Sequence, residues 1–191
     1  MPKSERLDFD TIVGFVTEGA RVLDMGCGDG TLLERLAREK KASVRGVELS
    51  EDNVRACIGR GLSVRHGNIE EGLADYRDGA FDFVILSQTL AYLDAPARVV
   101  KEMLRVGGAA IISFDNAGHW RRRCRALRGG GMGQSLLSGE PRERAITIPQ
   151  FNRFTREIGA RVRQTVYLTG QSPIHRLRRL RATAAVYVIS K

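Results

Sequence analysis

Cysteine and histidine are scarce, three of each in 191 residues. Cys27, Cys57 and Cys124 lie far apart, are odd in number and form no C-x-x-C pair, which argues against a disulfide framework or a zinc knuckle and makes reduced thiols the expectation. His66, His119 and His175 stand at no metal-ligand spacing from one another or from a cysteine, so no metal centre is expected. No run approaches the roughly 18 uninterrupted apolar residues of a membrane span. The first twenty residues, with Glu5, Asp8, Asp10 and Glu18, lack the apolar stretch of a signal peptide, and a soluble cytoplasmic protein is expected. Acidic residues are nearly missing from the last third: residues 118–191 hold 16 Lys/Arg against 3 Asp/Glu, where residues 1–117 hold 15 against 19. The net charge of +9 therefore belongs to the C-terminal part. Such asymmetry is compatible with a nucleic-acid, membrane-surface or acidic-partner face.

What is present is ordinary globular material, 42% hydrophobic and 28% charged, long enough for one well-filled core. Ala20 to Met25 reads as a strand that runs into glycines, and Thr31 to Lys41 as a helix with Leu33, Leu36 and Ala37 on one face. Ser43 to Leu49 gives a second strand. Ser50 is the expected N-cap of a helix carrying Val54, Cys57 and Ile58 on one face, ended by Gly59 and Gly61. Strands follow at Leu62 to His66, Ala80 to Ser87 and Ala109 to Phe114, with a helix at Ala97 to Arg105. Thr147 and Gln150 have capping-box spacing before the face Phe151, Phe154 and Ile158, and Val162 to Leu168 and Ala184 to Ile189 close the chain as strands. Strands alternating with helices imply βαβ crossovers. The expected fold is α/β: a Rossmann-like, doubly wound, mostly parallel sheet of about seven strands in three layers, α/β/α. A single domain over 1–191 is expected, with a basic, flexible insertion at about 116–146.

The sharpest chemical signal is Val22-Leu23-Asp24-Met25-Gly26-Cys27-Gly28-Asp29-Gly30, a strand that enters alternate glycines and then a helix. Bare backbone there turns tightly and approaches a nucleoside closely, and a helix N-terminus offers N–H donors, at the strand end where α/β sheets bind ligands. The third glycine comes one position too early for G-x-G-x-x-G, which lowers the dinucleotide reading. Glu48, ending the second strand, is placed to accept the hydroxyls of an unphosphorylated ribose. Taken singly, the glycines could be only a tight connection and Glu48 only a solvated strand end; their order along the chain favours an adenosine-type ligand site.

V-L-D-M-G-C-G-D-G followed by G-V-E-L-S resembles the S-adenosylmethionine site of class I methyltransferases. Asn53 to Gly61, Gly67-Asn68, Phe81 to Leu90, Glu102 to Gly107 and Gly118-His119-Trp120 narrow the resemblance to the methionine biosynthesis protein MetW family, from about Phe9 to Leu168. The resemblance implies S-adenosylmethionine as methyl donor and S-adenosylhomocysteine as product. It places Gly26, Gly28 and Gly30 around the methionine part, Asp24 beneath it, Glu48 on the ribose, and Asn68 and Ile69 at the adenine, with Cys27, Leu49 and Ser87 as further cofactor-binding candidates. Asn68 stands where the family usually has Asp, Asp115 where it has proline, and Ser138 to Ile146 lacks the family's aromatic and histidine residues. A role in methionine biosynthesis is implied, either as a methyltransferase acting on a small molecule or as a subunit binding the homoserine O-acyltransferase MetX; a nucleic-acid methyltransferase, using the basic last third, is the less favoured alternative.

Methyl transfer needs alignment and shielding from water more than a strong base. Ser87, Gln88 and Thr89 either face the methyl group or merely end a strand; Tyr92, Asp115 and His119 are further candidates for positioning the acceptor. Trp120, Cys124 and Leu127 share a helical face ringed by arginines, which favours an amphipathic helix packed on its own domain over docking to an acidic surface. Gly129 to Gly133 has no preceding strand and no Gly-Lys-Ser/Thr, so it reads as a linker rather than a phosphate cradle. Arg176 to Arg181 comes without aromatic interleaving, which favours a solvated basic face over nucleic-acid recognition.

Overall fold

The computed structural model describes residues 8–71, 73–121, 124, 144–170, 172–174 and 177–191. The strands are β1 (Arg21–Met25), β2 (Ser43–Glu48), β3 (Val64–His66), β4 (Phe81–Ser87), β5 (Gly107–Asp115), β6 (Arg161–Thr169), β7 (Ser172–Pro173) and β8 (Ala184–Ser190). The helices are α1 (Phe9–Phe15), α2 (Thr31–Lys40), α3 (Glu51–Gly59), α4 (Pro96–Val106), α5 (Ile148–Glu157) and the single turn α6 (Arg178–Arg181). One sheet of order β3-β2-β1-β4-β5-β8-β6-β7 holds all eight strands. Its first five are parallel; β8 pairs antiparallel with both β5 and β6, so β6 runs with the parallel set, and β7 pairs antiparallel with β6 at the edge. This is the expected doubly wound, mostly parallel architecture.

Strands β1, β4 and β5 are buried on both faces over most of their length, so consecutive residues serve opposite layers. Leu23, Leu86 and Ile112 join the core beneath α4 and α5 with Met103, Phe151 and Tyr187. Val22, Ile85 and Ile111 join Ile12, Val13 and Leu36 beneath α1 and α2. A small third cluster of Cys27, Leu33 and Cys57 lies under α3. The capping box of α5 is formed as expected, the Thr147 hydroxyl accepting from the Gln150 N–H and the Gln150 side chain accepting from the Thr147 N–H.

Three features depart from expectation. Helix α1 was not foreseen, because its seven residues bury only Phe9, Ile12 and Val13 and leave too short a periodic pattern to read. Strand β3 is two residues shorter than the apolar run suggests, since Leu62 is used for packing against the glycine turn. The short strand β7, paired through Thr169 and Ser172, adds an eighth strand within what reads as a polar connection. Most of the 116–146 insertion, including Leu127 and Gly129 to Gly133, lies outside the described residues, as do His175 and Arg176. Among the described residues no helix is long and apolar enough to cross a membrane.

At the amino ends of β1 and β4, Arg21 is clamped to Asp82: its N–H donates to Oδ2 at 2.8 Å and its Nη2 to Oδ1 at 2.7 Å. The Arg21 side chain first, then its backbone N–H, holds the Asp82 carboxyl below the usual carboxylate range. A lowered native value means the pair stabilises the fold above the unfolded carboxylate pKa of about 3.9 and ceases to do so as pH falls through the native value. Thermal melts of Asp82→Asn should therefore lie below those of the parent chain at pH 6, with the gap narrowing progressively as pH falls below about 4; a gap that does not narrow on acidification would contradict the pairing.

Candidate functional site

In a parallel sheet the carboxyl ends of neighbouring strands finish together. Register pairs Met25 with Val47, Asp24 with Ile85 and Glu48 with His66, so the glycine turn after β1 stands beside the last residue of β2. The Gly26 N–H donates to Val47 O at 2.8 Å and the Cys27 N–H to the same oxygen at 3.3 Å. The Gly28 N–H then donates to Glu48 Oε2 at 2.8 Å. Glu48 is 8% exposed, and its Oε1 accepts from the Ser50 N–H at 2.9 Å and from Asn53 Nδ2 at 3.5 Å. One nearly buried carboxylate thus ties the glycine turn to the start of α3.

The three glycines differ in what they do. All hold φ near +57° to +80°, in the left-handed region that favours glycine. A Cβ on Gly30 would lie 2.5 Å from Leu62 Cδ1 and 2.8 Å from Cys57 Sγ, so this glycine is required by packing. A Cβ on Gly26 would meet Thr89 Oγ1 at 3.0 Å, which brings the β4 loop against the turn. A Cβ on Gly28 would meet nothing within 4 Å. Gly28 is therefore the point where bare backbone borders open space, beside Glu48.

Other expected site residues are distributed as follows. Asp24 is buried at the end of β1. The Cys27 side chain turns into the core with Leu33 and Cys57, and burial, reinforced by Asp24, pushes its thiol above the ordinary range. Cys57 Sγ donates to Gly28 O at 3.3 Å, underpinning the turn from below. Leu49 is 64% exposed beside the strand end. Asn68 Oδ1 accepts from the Glu70 N–H at 2.9 Å, and Ile69 packs in the core with Met25 and Leu73. Of the N–H donors expected at the start of α2, that of Thr31 donates to Asp29 Oδ1, and the Gly30 N–H just before the helix donates to Cys27 O.

Among the candidates for the reacting group, the Ser87 hydroxyl donates to Asp8 Oδ2 at 2.5 Å and Ser113 donates to the same oxygen. Ser87 is thus bound into a buried contact with the residue before α1, a partner hidden from sequence by 79 positions. Gln88 has φ +57°, its N–H directed to Ser113 O and Oγ at 3.1 Å each, so a strained residue leaves β4 next to the crevice. Thr89 Oγ1 donates to Ser87 O, and Tyr92 is 51% exposed. Asp115 is exposed at the end of β5; His119 Nδ1 accepts from the Arg121 N–H at 3.3 Å, and Arg121 lies over the exposed Trp120 ring. Sequence reasoning missed Asn53 and Ser50 as partners of Glu48; the run E-L-S-E-D-N, with donors two and five residues after the carboxylate, is the signal available. Beside Leu90, residues Ala145, Ile146, Phe151 and Phe154 line an apolar cavity of about 260 Å³, with Arg144 donating to Asp94 O.

Comparison with known proteins gives a match to the family model described as methionine biosynthesis protein MetW over residues 6–189. The chain belongs to the MetW family. It is 36% identical over 118 residues to the bifunctional methionine biosynthesis protein MetXA/MetW of Rhodopirellula baltica, a stretch that is 58% of this chain and 19% of that relative. It is 37% identical over 106 residues to the ubiquinone biosynthesis O-methyltransferase of Methylococcus capsulatus, 51% of this chain and 44% of that one. The chain thus spans less than half the length of either relative. Among solved structures, an S-adenosylmethionine-dependent methyltransferase from Mesorhizobium loti superimposes with a TM-score of 0.72 at 15% identity, over 97% of this chain and 98% of that one. At that identity the likeness fixes the class I methyltransferase fold of this MetW-family chain and nothing finer.

The glycine geometry predicts different costs for the same substitution. Gly28→Ala adds only the left-handed strain of about 1–2 kcal/mol, whereas Gly30→Ala adds overpacking of about 1–3 kcal/mol to it. Urea unfolding should show Gly30→Ala as clearly the less stable; equal losses would refute the assignment of Gly30 to packing.

Proposed function

We propose that this MetW-family chain binds S-adenosylmethionine in the crevice between the Gly26–Gly28 turn and Glu48, and transfers its methyl group to a small-molecule acceptor in methionine biosynthesis. The observation that carries the reading is the open face of Gly28 beside a nearly buried carboxylate. A carboxylate has about four acceptor positions, and Glu48 spends three on its own chain, the longest at 3.5 Å to Asn53. A ribose diol would take the free position on Oε2 and replace the Asn53 contact. The exposed side chain of Leu49 suits an adenosine face, and Asp24 closes the floor. Asn68 and Ile69 would border the adenine from the β3 end through backbone and ring edge, their side chains being engaged locally.

The bound donor supplies an electrophilic methyl on a sulfonium. The chain's own part is to hold donor and acceptor in line and to keep water out. Gln88, Thr89 and Tyr92, at the end of β4, are the residues proposed to position the acceptor, with His119 beyond them. Ser87 acts at one remove, fixing the β4 end against Asp8.

A second reading is a subunit that docks on homoserine O-acyltransferase MetX and uses the same crevice to sense the methyl donor. It is favoured by the Rhodopirellula relative, whose name joins MetXA and MetW on one chain.

Asn tolerates the left-handed region, so Gly28→Asn should fold normally while filling the crevice. Calorimetry should find S-adenosylmethionine binding weakened about tenfold or more, roughly 1.4 kcal/mol, in Gly28→Asn and in Glu48→Gln. Parent-like affinity in both variants, with circular dichroism unchanged, would reject the placement. Incubation with labelled donor and candidate acceptors is expected to release S-adenosylhomocysteine. Binding without release, together with co-purification of a homoserine O-acyltransferase, would decide for the subunit reading.

A further inference from the structure

The opposite end of the sheet carries a second concave site. Among its described residues, the link from β3 to β4, residues 67–80, carries a three-residue turn of 3₁₀ helix, Ile69–Glu71, in place of a covering α-helix. A parallel sheet needs both faces covered. On the α4 side, however, the amino ends of β1 and β2 are roofed, among the described residues, by loop residues 75–79. A cavity of about 560 Å³ remains, floored by Arg21, Ser43, Arg45 and Phe81. That volume falls within the ~300–1,000 Å³ typical of small-molecule sites. Arg21 and Met25 sit at opposite ends of β1, four residues apart, or about 13 Å along the strand, so this cavity and the glycine crevice are separate.

Its charges do not cancel internally. Asp75 is taken by Arg65 at 3.0 Å, Asp78 by Arg105 at 2.7 Å, and Arg21 by Asp82 at 2.7 Å. Arg105 also donates to Leu73 O and Tyr76 O, which holds the roof loop in place from α4. Arg45, from the middle of β2, and Arg77, from the roof, line the same cavity. Among the described residues neither guanidinium has an ion pair or a side-chain hydrogen bond. Two unpaired planar forks from different elements, facing one concave space, attract an anion with several oxygens, because each fork can take two oxygens side by side. Concavity strengthens the attraction by concentrating the field.

We propose that this cavity is a second ligand site, specific for a small anion of charge −2 or −3 with clustered oxygens, a phosphate ester or a polycarboxylate, held by Arg45 and Arg77. The Tyr76 ring, set edge-on to Phe81 at 5.1 Å between centroids, gives the organic part of such a ligand an aromatic wall. The site is independent of the methyl-donor reading and stands or falls separately from it.

The test is calorimetric titration of the purified chain with inorganic pyrophosphate and, separately, citrate, at constant ionic strength set with chloride. Saturable one-to-one binding is expected, weakened about tenfold in each of Arg45→Gln and Arg77→Gln, the size of a lost charge-assisted hydrogen bond. Arg45→Lys, which keeps the charge but loses the fork, should also weaken it, while Gly28→Asn should leave it unchanged. Pyrophosphate binding without citrate binding would assign the phosphate-ester class, and the reverse the polycarboxylate class. Binding no stronger than that of chloride, or binding that survives the Arg45→Gln, Arg77→Gln double variant with its fold intact, would overturn the proposal. So would an equal loss on changing the remote Arg153.

Discussion

The crevice depends on one carboxylate. Glu48 is nearly buried, and a buried charge persists only when its oxygens are satisfied. Its partners are the Gly28 N–H on one side and the Ser50 N–H on the other. The glycine turn and the start of α3 are thereby locked to the end of β2 by the same group proposed to read the ribose. Any change at Glu48 acts on ligand contact and on backbone geometry together, so its two roles separate only when binding and folding are measured side by side.

The glycines around it illustrate how one motif serves two physical ends. Gly30 and Gly46 exist because side chains crowd in: Cys57 and Leu62 at the first, Cys27, Leu33 and Val64 at the second. At Gly28 nothing crowds in; what favours glycine there is its left-handed φ of +57°. Close packing of α3 onto the sheet and an open backbone face are therefore combined within one turn, the cysteines filling the inner side while the outer side stays bare. Burial explains why Cys27 and Cys57 hold their protons, and their part is that of small apolar side chains.

The two ends of the sheet have opposite characters. At the carboxyl ends, Asp24 and Glu48 present acid groups beside bare backbone, which suits a cationic sulfonium nucleoside. At the amino ends, Arg21, Arg45 and Arg77 surround a cavity beside a connection that carries a 3₁₀ turn rather than a covering α-helix. The surplus of arginine in the C-terminal third drew attention in the sequence, yet the cavity with unpaired guanidiniums lies in the part of the chain whose formal charge is negative. Net charge along a sequence averages over pairings that only three dimensions reveal.

Alternation of apolar strands with amphipathic helices determined the fold class, and strand, glycines and acidic strand end in that order marked the turn and carboxylate at which a nucleoside is proposed to bind, because those signals are local and periodic. The capping box of α5 and the N-cap at Ser50 were legible for the same reason. The tertiary structure decided what spacing cannot encode. It showed that Ser87 is held by Asp8 and that Gly30 is crowded by Leu62. It also showed that Glu48 spends most of its acceptor positions on its own chain and that Arg45 and Arg77 share one cavity. Each of these depends on which distant side chain arrives at a given point, and that is fixed by how the layers pack rather than by the residues on either side.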